Sequence, residues 1–136
     1  MKIIKNLVFF FTLFLMVFLI VSCDLDKEPT IVKLSDSRFN GEFWDHGAGN
    51  KFDKLEFNGT NKVQNSYNTY QYFYDIKFST LEFEVKDGKY RYRLWSEYDT
   101  NWLVDWSDYS FNSDGTKLFL QSRPGSTVTF TYEKRQ

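Results

Sequence analysis

The sequence predicts an all-β fold over residues 37 to 136: a small antiparallel up-and-down β-barrel of about eight strands. Three observations carry this. No apolar stripe of helical period and useful length follows Ser37, whereas aromatic residues make up 21% of the chain and suit a pleated surface. The segment LEFEVKDGKYRYRL alternates with period two on both sides of Asp87-Gly88. Turn pairs recur at Asn58-Gly59, Asp87-Gly88 and Asp114-Gly115, so the connections are mostly short. Short up-and-down connections favour a closed barrel, which also leaves no exposed strand edge.

The chain opens differently. Residues 1–22 start with Lys2 and Lys5 and no acid, followed by Leu7 to Val21, fifteen residues all apolar except Thr12. That run is short of the roughly 20 residues that span a bilayer. A basic start, a short apolar run and a small residue before the cut describe a secretory signal peptide. Ile20-Val21-Ser22-Cys23 resembles the lipobox of bacterial lipoproteins. The resemblance implies that the Cys23 sulfur takes a diacylglyceryl group, that the preceding peptide is removed and that the new α-amino group is acylated in many bacteria. No second cysteine exists to pair with Cys23, so the mature domain has neither a disulfide nor a free thiol. The implied address is the bacterial cell envelope, with the protein held on the membrane by lipid. The outer membrane is expected over the inner.

Residues 23–36 read as the lipidated cysteine and an acidic linker, with Asp24, Asp26 and Glu28 at its start and Pro29 opposing an early helix. Acid after the lipidated cysteine is an inner-membrane retention signal in some diderm bacteria and a surface signal in others, so the leaflet stays open.

The domain elements follow in order. Phe39 to Trp44 is a first strand. Lys54 to Phe57 alternates and meets Asn58-Gly59, and Thr60 to Ser66 continues beyond it. Thr69 to Phe78 is a tyrosine-rich strand. Asp87-Gly88 fits a two-residue type I′ turn and pairs Val85 with Tyr90, Phe83 with Tyr92 and Leu81 with Leu94. Glu84–Arg91 and Glu82–Arg93 then oppose each other on the other face, and a one-residue slip would bury those charges. Asp114-Gly115 closes a second hairpin over residues 108 to 121, with Tyr109 and Phe111 on the face of Leu118 and Leu120 and Phe119 outward. Arg123-Pro124-Gly125-Ser126 turns into a last strand, Thr127 to Lys134, with Val128, Phe130 and Tyr132 on one face.

This order, from Gly41-Glu42-Phe43-Trp44 to Leu118-Phe119-Leu120 and Phe130-Thr131-Tyr132-Glu133-Lys134, resembles the small lipocalin-like domains of many bacterial lipoproteins. True lipocalins carry Gly-x-Trp in the first strand, and here Phe43 stands at that position with Trp44 one residue later. These domains share architecture more than a defined site, so the likeness transfers no ligand residue.

Chemistry is sparse. The single histidine, His46, sits in Asp45-His46-Gly47-Ala48-Gly49; it could be a metal ligand or base with Asp45 and Asp53 nearby in sequence, but it reads as a loop residue, because a typical zinc site needs more His or Cys than the chain holds. There is no G-x-S-x-G, and Gly47 and Gly49 open no helix, so no nucleophile elbow or phosphate loop is expected. No cofactor, metal or enzymatic activity is expected. After Cys23 the chain has 15 basic and 18 acidic residues, a net charge of −3, which argues against a nucleic-acid partner.

The most suggestive stretch is WSEYDTNWLVDWSDY, residues 95 to 109. Trp95, Tyr98, Trp102 and Trp106 are candidate binding residues, with Tyr90 and Tyr92 from the inner face. Aromatic faces beside carboxylates bind sugars and anchor protein partners; the competing reading is that these rings fill the barrel. Trp102 is expected to be the most exposed, because Asp99-Thr100-Asn101 reads as loop. Two functions follow. One is a binding protein holding a small apolar or amphipathic ligand inside the barrel. The other is a solid barrel whose loops, with Trp102 and Phe119, meet a protein or glycan partner, as an inhibitor, an envelope assembly factor or a host-facing surface protein. A hollow interior would favour the first reading and a filled one the second.

Overall fold

The sharpest sequence signal, the Asp87-Gly88 hairpin, sets the register of the sheet around it. The computed structural model of the protein describes residues 28–46, 51–68 and 76–136. The expected signal peptide, Cys23, the start of the expected linker and most of the tyrosine-rich segment expected at Thr69–Phe78 lie outside those residues. Asp87 and Gly88 both adopt positive φ, 52° and 75°, as a type I′ turn demands. The pairing runs from Lys86 opposite Lys89 to Leu81 opposite Leu94, with every expected partner in place. On the outer face Arg93 Nε meets Glu82 Oε2 at 2.6 Å and Arg91 Nη2 meets Glu84 Oε2 at 2.7 Å. Replacing Asp87-Gly88 by Val-Val puts two β-branched residues where φ must be positive, which costs about 1–3 kcal/mol at each position. The expected result is a large drop in melting temperature; an unchanged one would contradict the turn.

Eight antiparallel strands close into an up-and-down barrel in sequence order, the lipocalin-like architecture expected from the sequence. They are β1 (Asn40–His46), β2 (Phe52–Asn58), β3 (Lys62–Asn68), β4 (Lys77–Lys86), β5 (Lys89–Leu94), β6 (Val104–Phe111), β7 (Lys117–Gln121) and β8 (Thr129–Lys134). Closure comes from β1 against β8, with Phe43 opposite Lys134 and Trp44 opposite Glu133. Gly41, at φ 105°, makes room there: a Cβ on it would lie 2.9 Å from Lys134 Cε. The lysine stem folds into that space, with Nζ 5.5 Å from the centre of the Phe43 ring.

Four expectations change. Lys77 and Phe78 belong to β4, which runs without a break through Ser79 and Thr80 into the Leu81 strand. His46 ends β1 instead of sitting in a loop. The strand before the second hairpin starts at Val104, because a bulge absorbs one extra residue between the pairs Tyr92–Val104 and Tyr90–Ser107. Of the segment assigned to the linker, Thr30 to Leu34 are built into the domain. Leu34 N–H donates to Gly59 O at 2.9 Å, and buried Asn61 exchanges bonds with Val32 and Thr30. Ile31-Val32-Lys33-Leu34 has the composition of a strand, Lys33 bridges Thr60, and Leu34 is buried.

The two ends of the barrel differ. The end carrying the β2–β3, β4–β5 and β6–β7 turns is filled with rings. Phe39, fully buried, lies 5.0 Å from Phe57, 5.6 Å from Phe83, 5.0 Å from Tyr109 and 5.1 Å from Phe111, centre to centre. Such edge and tilted contacts add to the apolar burial. This end is closed. The other end receives the longer connections.

Candidate functional site

Side chains alternate across each strand, so every second residue points into the barrel. From the closed end toward the open one, the inward series on β1 is Phe43 then Asp45, and on β2 it is Phe57, Leu55, then Asp53. On β3 it is Val63, Asn65, Tyr67; on β4 it is Phe83, Leu81, Ser79. On β1, β2 and β4 large rings give way to smaller or polar side chains. The result is a cavity of about 460 Å³ in the open half of the barrel. Leu55, Leu81, Val104 and Leu120 form apolar wall, and Phe130, Leu94 and Leu103 stand partly exposed at the mouth.

A polar network crosses this wall. Tyr132 Oη donates to Asp53 Oδ2 at 2.7 Å, and Asn65 Nδ2 donates to Asp53 Oδ1 and to Lys54 O. Ser79 Oγ donates to Asn65 Oδ1 at 3.1 Å. Asp45 sits opposite Asp53 in the β1–β2 pairing. Burial, then the neighbouring Asp53 charge, hold the Asp45 carboxyl above its ordinary range, with His46 pulling weakly the other way. Burial, then the Asp53 charge, push the Tyr132 and Tyr92 phenols up, so both stay neutral. Among the described residues no group of three or more His, Cys, Asp or Glu is arranged to hold a metal ion.

The six residues singled out from the sequence do not form one site. Tyr90 and Tyr92 point inward and both line the cavity; Tyr90 is fully buried and donates its hydroxyl to Gln121 O at 2.6 Å. The three tryptophans lie over cations instead. The Arg91 guanidinium carbon is 3.8 Å from the Trp102 ring centre and 4.4 Å from that of Trp106, and Arg93 lies 4.9 Å from Trp102. Lys62 Nζ lies 5.1 Å from Trp95. Trp102 is therefore half-buried, contrary to expectation, because the two β5 arginines, each held by a glutamate, give it a flat charged bed. The exposed ring of that loop is Tyr98, at 80%. Phe119 is half-buried. The His46 ring is stacked on Trp44 at 5.6 Å and 8°.

Sequence reasoning missed Asp45, Asp53, Asn65 and Ser79 as a set. The signal was present: each shares the parity of a buried apolar neighbour two residues away, so each is a polar residue at an inward position. Comparison with protein-family models, with curated proteins and with solved structures gives no match.

Proposed function

We propose that this is a lipid-anchored binding protein of the bacterial cell envelope, on the outer membrane, with no enzymatic role. Its barrel holds a small apolar or amphipathic ligand. One observation carries the reading: the open half of the barrel contains a cavity of about 460 Å³, within the range of small-molecule sites. Its walls are mostly aliphatic and aromatic, with few polar groups, which is the usual make-up of such a site. A non-enzymatic role is supported by Asp53, whose two oxygens are both engaged by neighbours, and by His46, which stacks on the outer Trp44.

The alternative, a partner-binding barrel, draws support from the apolar residues that stand exposed toward the open end, Ile76, Phe78, Leu103 and Val128, together with Tyr98. It has less support in the tryptophans, which are occupied by arginine and lysine.

Native mass spectrometry of residues 27 to 136, purified without detergent, tests the reading. The expected result is a species that loses a few hundred daltons on denaturation. Equal native and denatured masses, with no small molecule taken up on addition, would remove the ligand reading and return attention to the rim.

A further inference from the structure

The cavity lining combines two carboxylates, Asp45 and Asp53, with no lysine, arginine or histidine among the described residues. The outer surface behaves differently. There Glu82 pairs with Arg93, Glu84 with Arg91, Asp108 with Lys89, Glu133 with Lys117, and Glu42 and Glu56 share Lys54. These six exterior acids thus each meet a cation, whereas the two in the cavity lining meet none among the described residues. An acid in an enclosed, partly apolar space is costly unless something of opposite charge meets it.

The two carboxylates are also unlike each other. Asp53 is fixed in the wall by Tyr132 and Asn65. Asp45 accepts no hydrogen bond from the described residues and stands beside Asp53 across the strand pair. Beside them the wall offers the Tyr67, Tyr92 and Phe130 rings. Carboxylates provide acceptors for an ammonium group, and aromatic faces attract the same charge.

We infer that the ligand of this cavity is a small amphipathic amine, its ammonium group seated at Asp45 beside Asp53 and its alkyl or aryl part against Leu55, Leu81 and Leu120. This rests on the ligand-binding reading above and narrows it to a chemical class. The raised Asp45 carboxyl agrees with it: burial first, and then the Asp53 charge, lift that group, and a cation between the two acids offsets both. Size sets a limit, since about 460 Å³ is the liquid volume of about fifteen waters. A single-ring or short-chain amine fits, and a two-chain lipid does not.

The test uses the full chain in lipid nanodiscs and three water-soluble probes that share one skeleton: 2-phenylethylamine, 2-phenylethanol and phenylacetate. Calorimetric titration is expected to rank the amine at least about tenfold tighter than the alcohol, the worth of one charge-assisted bond, with phenylacetate silent. Asp45→Asn keeps the side-chain size and is expected to bring the amine to the alcohol's affinity without lowering the melting temperature. Should that variant not fold, the ranking on the unaltered chain decides alone. If the alcohol or the acid binds as well as the amine, the inference is overturned while the binding reading stands. If none of the three binds, the inference is overturned too. A ligand lost on denaturation in the mass measurement would then still uphold the binding reading, and its absence would remove both.

Discussion

Phe83→Ala is expected to cost about 3–5 kcal/mol of folding stability, the range for truncating a fully buried phenylalanine. Phe83 is 0% exposed and lies where the closed end meets the cavity. Its ring touches Phe39 and Phe57 on one side and stacks on Tyr90 at 5.4 Å and Tyr92 at 6.1 Å on the other. Removing it therefore opens a void between two groups that cannot both move in. Phe57 and Phe39 are held by Phe43 and Phe111 behind them, and Tyr90 is held by its bond to Gln121 O. Domains of this size have about 5–15 kcal/mol in total. The loss corresponds to a fall in melting temperature of at least about 12 °C. Tyr98→Ala is the control: a ring of similar size, largely exposed, whose loss is expected to stay within about 0.5 kcal/mol. A Phe83→Ala loss no larger than the Tyr98→Ala one would mean that the closed end does not hold the barrel together.

Phe83 also shows why the fold was legible. Leu81, Phe83 and Val85 alternate with Glu82 and Glu84, and the Asp87-Gly88 turn leaves one register that keeps all three apolar side chains inside. Turn chemistry and parity are local, so sequence carries them. The N-terminal Ile31–Leu34 segment was harder, because its partners at Gly59 and Asn61 lie about thirty residues on and no turn joins them. The β6 bulge was hidden for a related reason. One extra residue at Asp105–Trp106 reverses the parity between Val104 and Ser107, so Trp106 lies outside while both of them face in. The candidate site was the least legible. A void is a sum over inward side chains from many strands, and no single segment states it. The loop tryptophans suggested a surface because the loop was read alone; Trp102 lies on arginines of β5 and Trp95 under a lysine of β3, each supplied by another strand. The carboxylates are the exception, visible to parity at Asp45 and Asp53 once the strands on both sides are aligned.

Cys23→Ala is expected to abolish acyl labelling and release the protein from membranes, the largest effect of any single change. The argument is additive: each buried CH₂ contributes about 0.8 kcal/mol, one acyl chain gives only marginal binding with K of about 10⁴ M⁻¹, and two or more chains hold stably. On the lipobox reading, all of those chains sit on the Cys23 sulfur and on the α-amino group that removal of the preceding peptide exposes, so no graded loss is expected. The barrel itself should not respond. Among the described residues Thr30, seven residues after Cys23, already hydrogen-bonds to the barrel at Asn61, so melting temperature and ligand uptake should match those of the lipidated form. Seven residues reach at most about 25 Å. Thr30 meets the barrel at its ring-filled end, beside the β2–β3 turn, while the cavity opens at the other. A tether entering there leaves the mouth free of the attachment point, which suits a ligand arriving from water rather than from the bilayer. Release into the soluble fraction with labelling lost is the supporting result. Retention of both membrane association and label in Cys23→Ala would show that the lipid sits elsewhere, and the lipobox reading would fall with it.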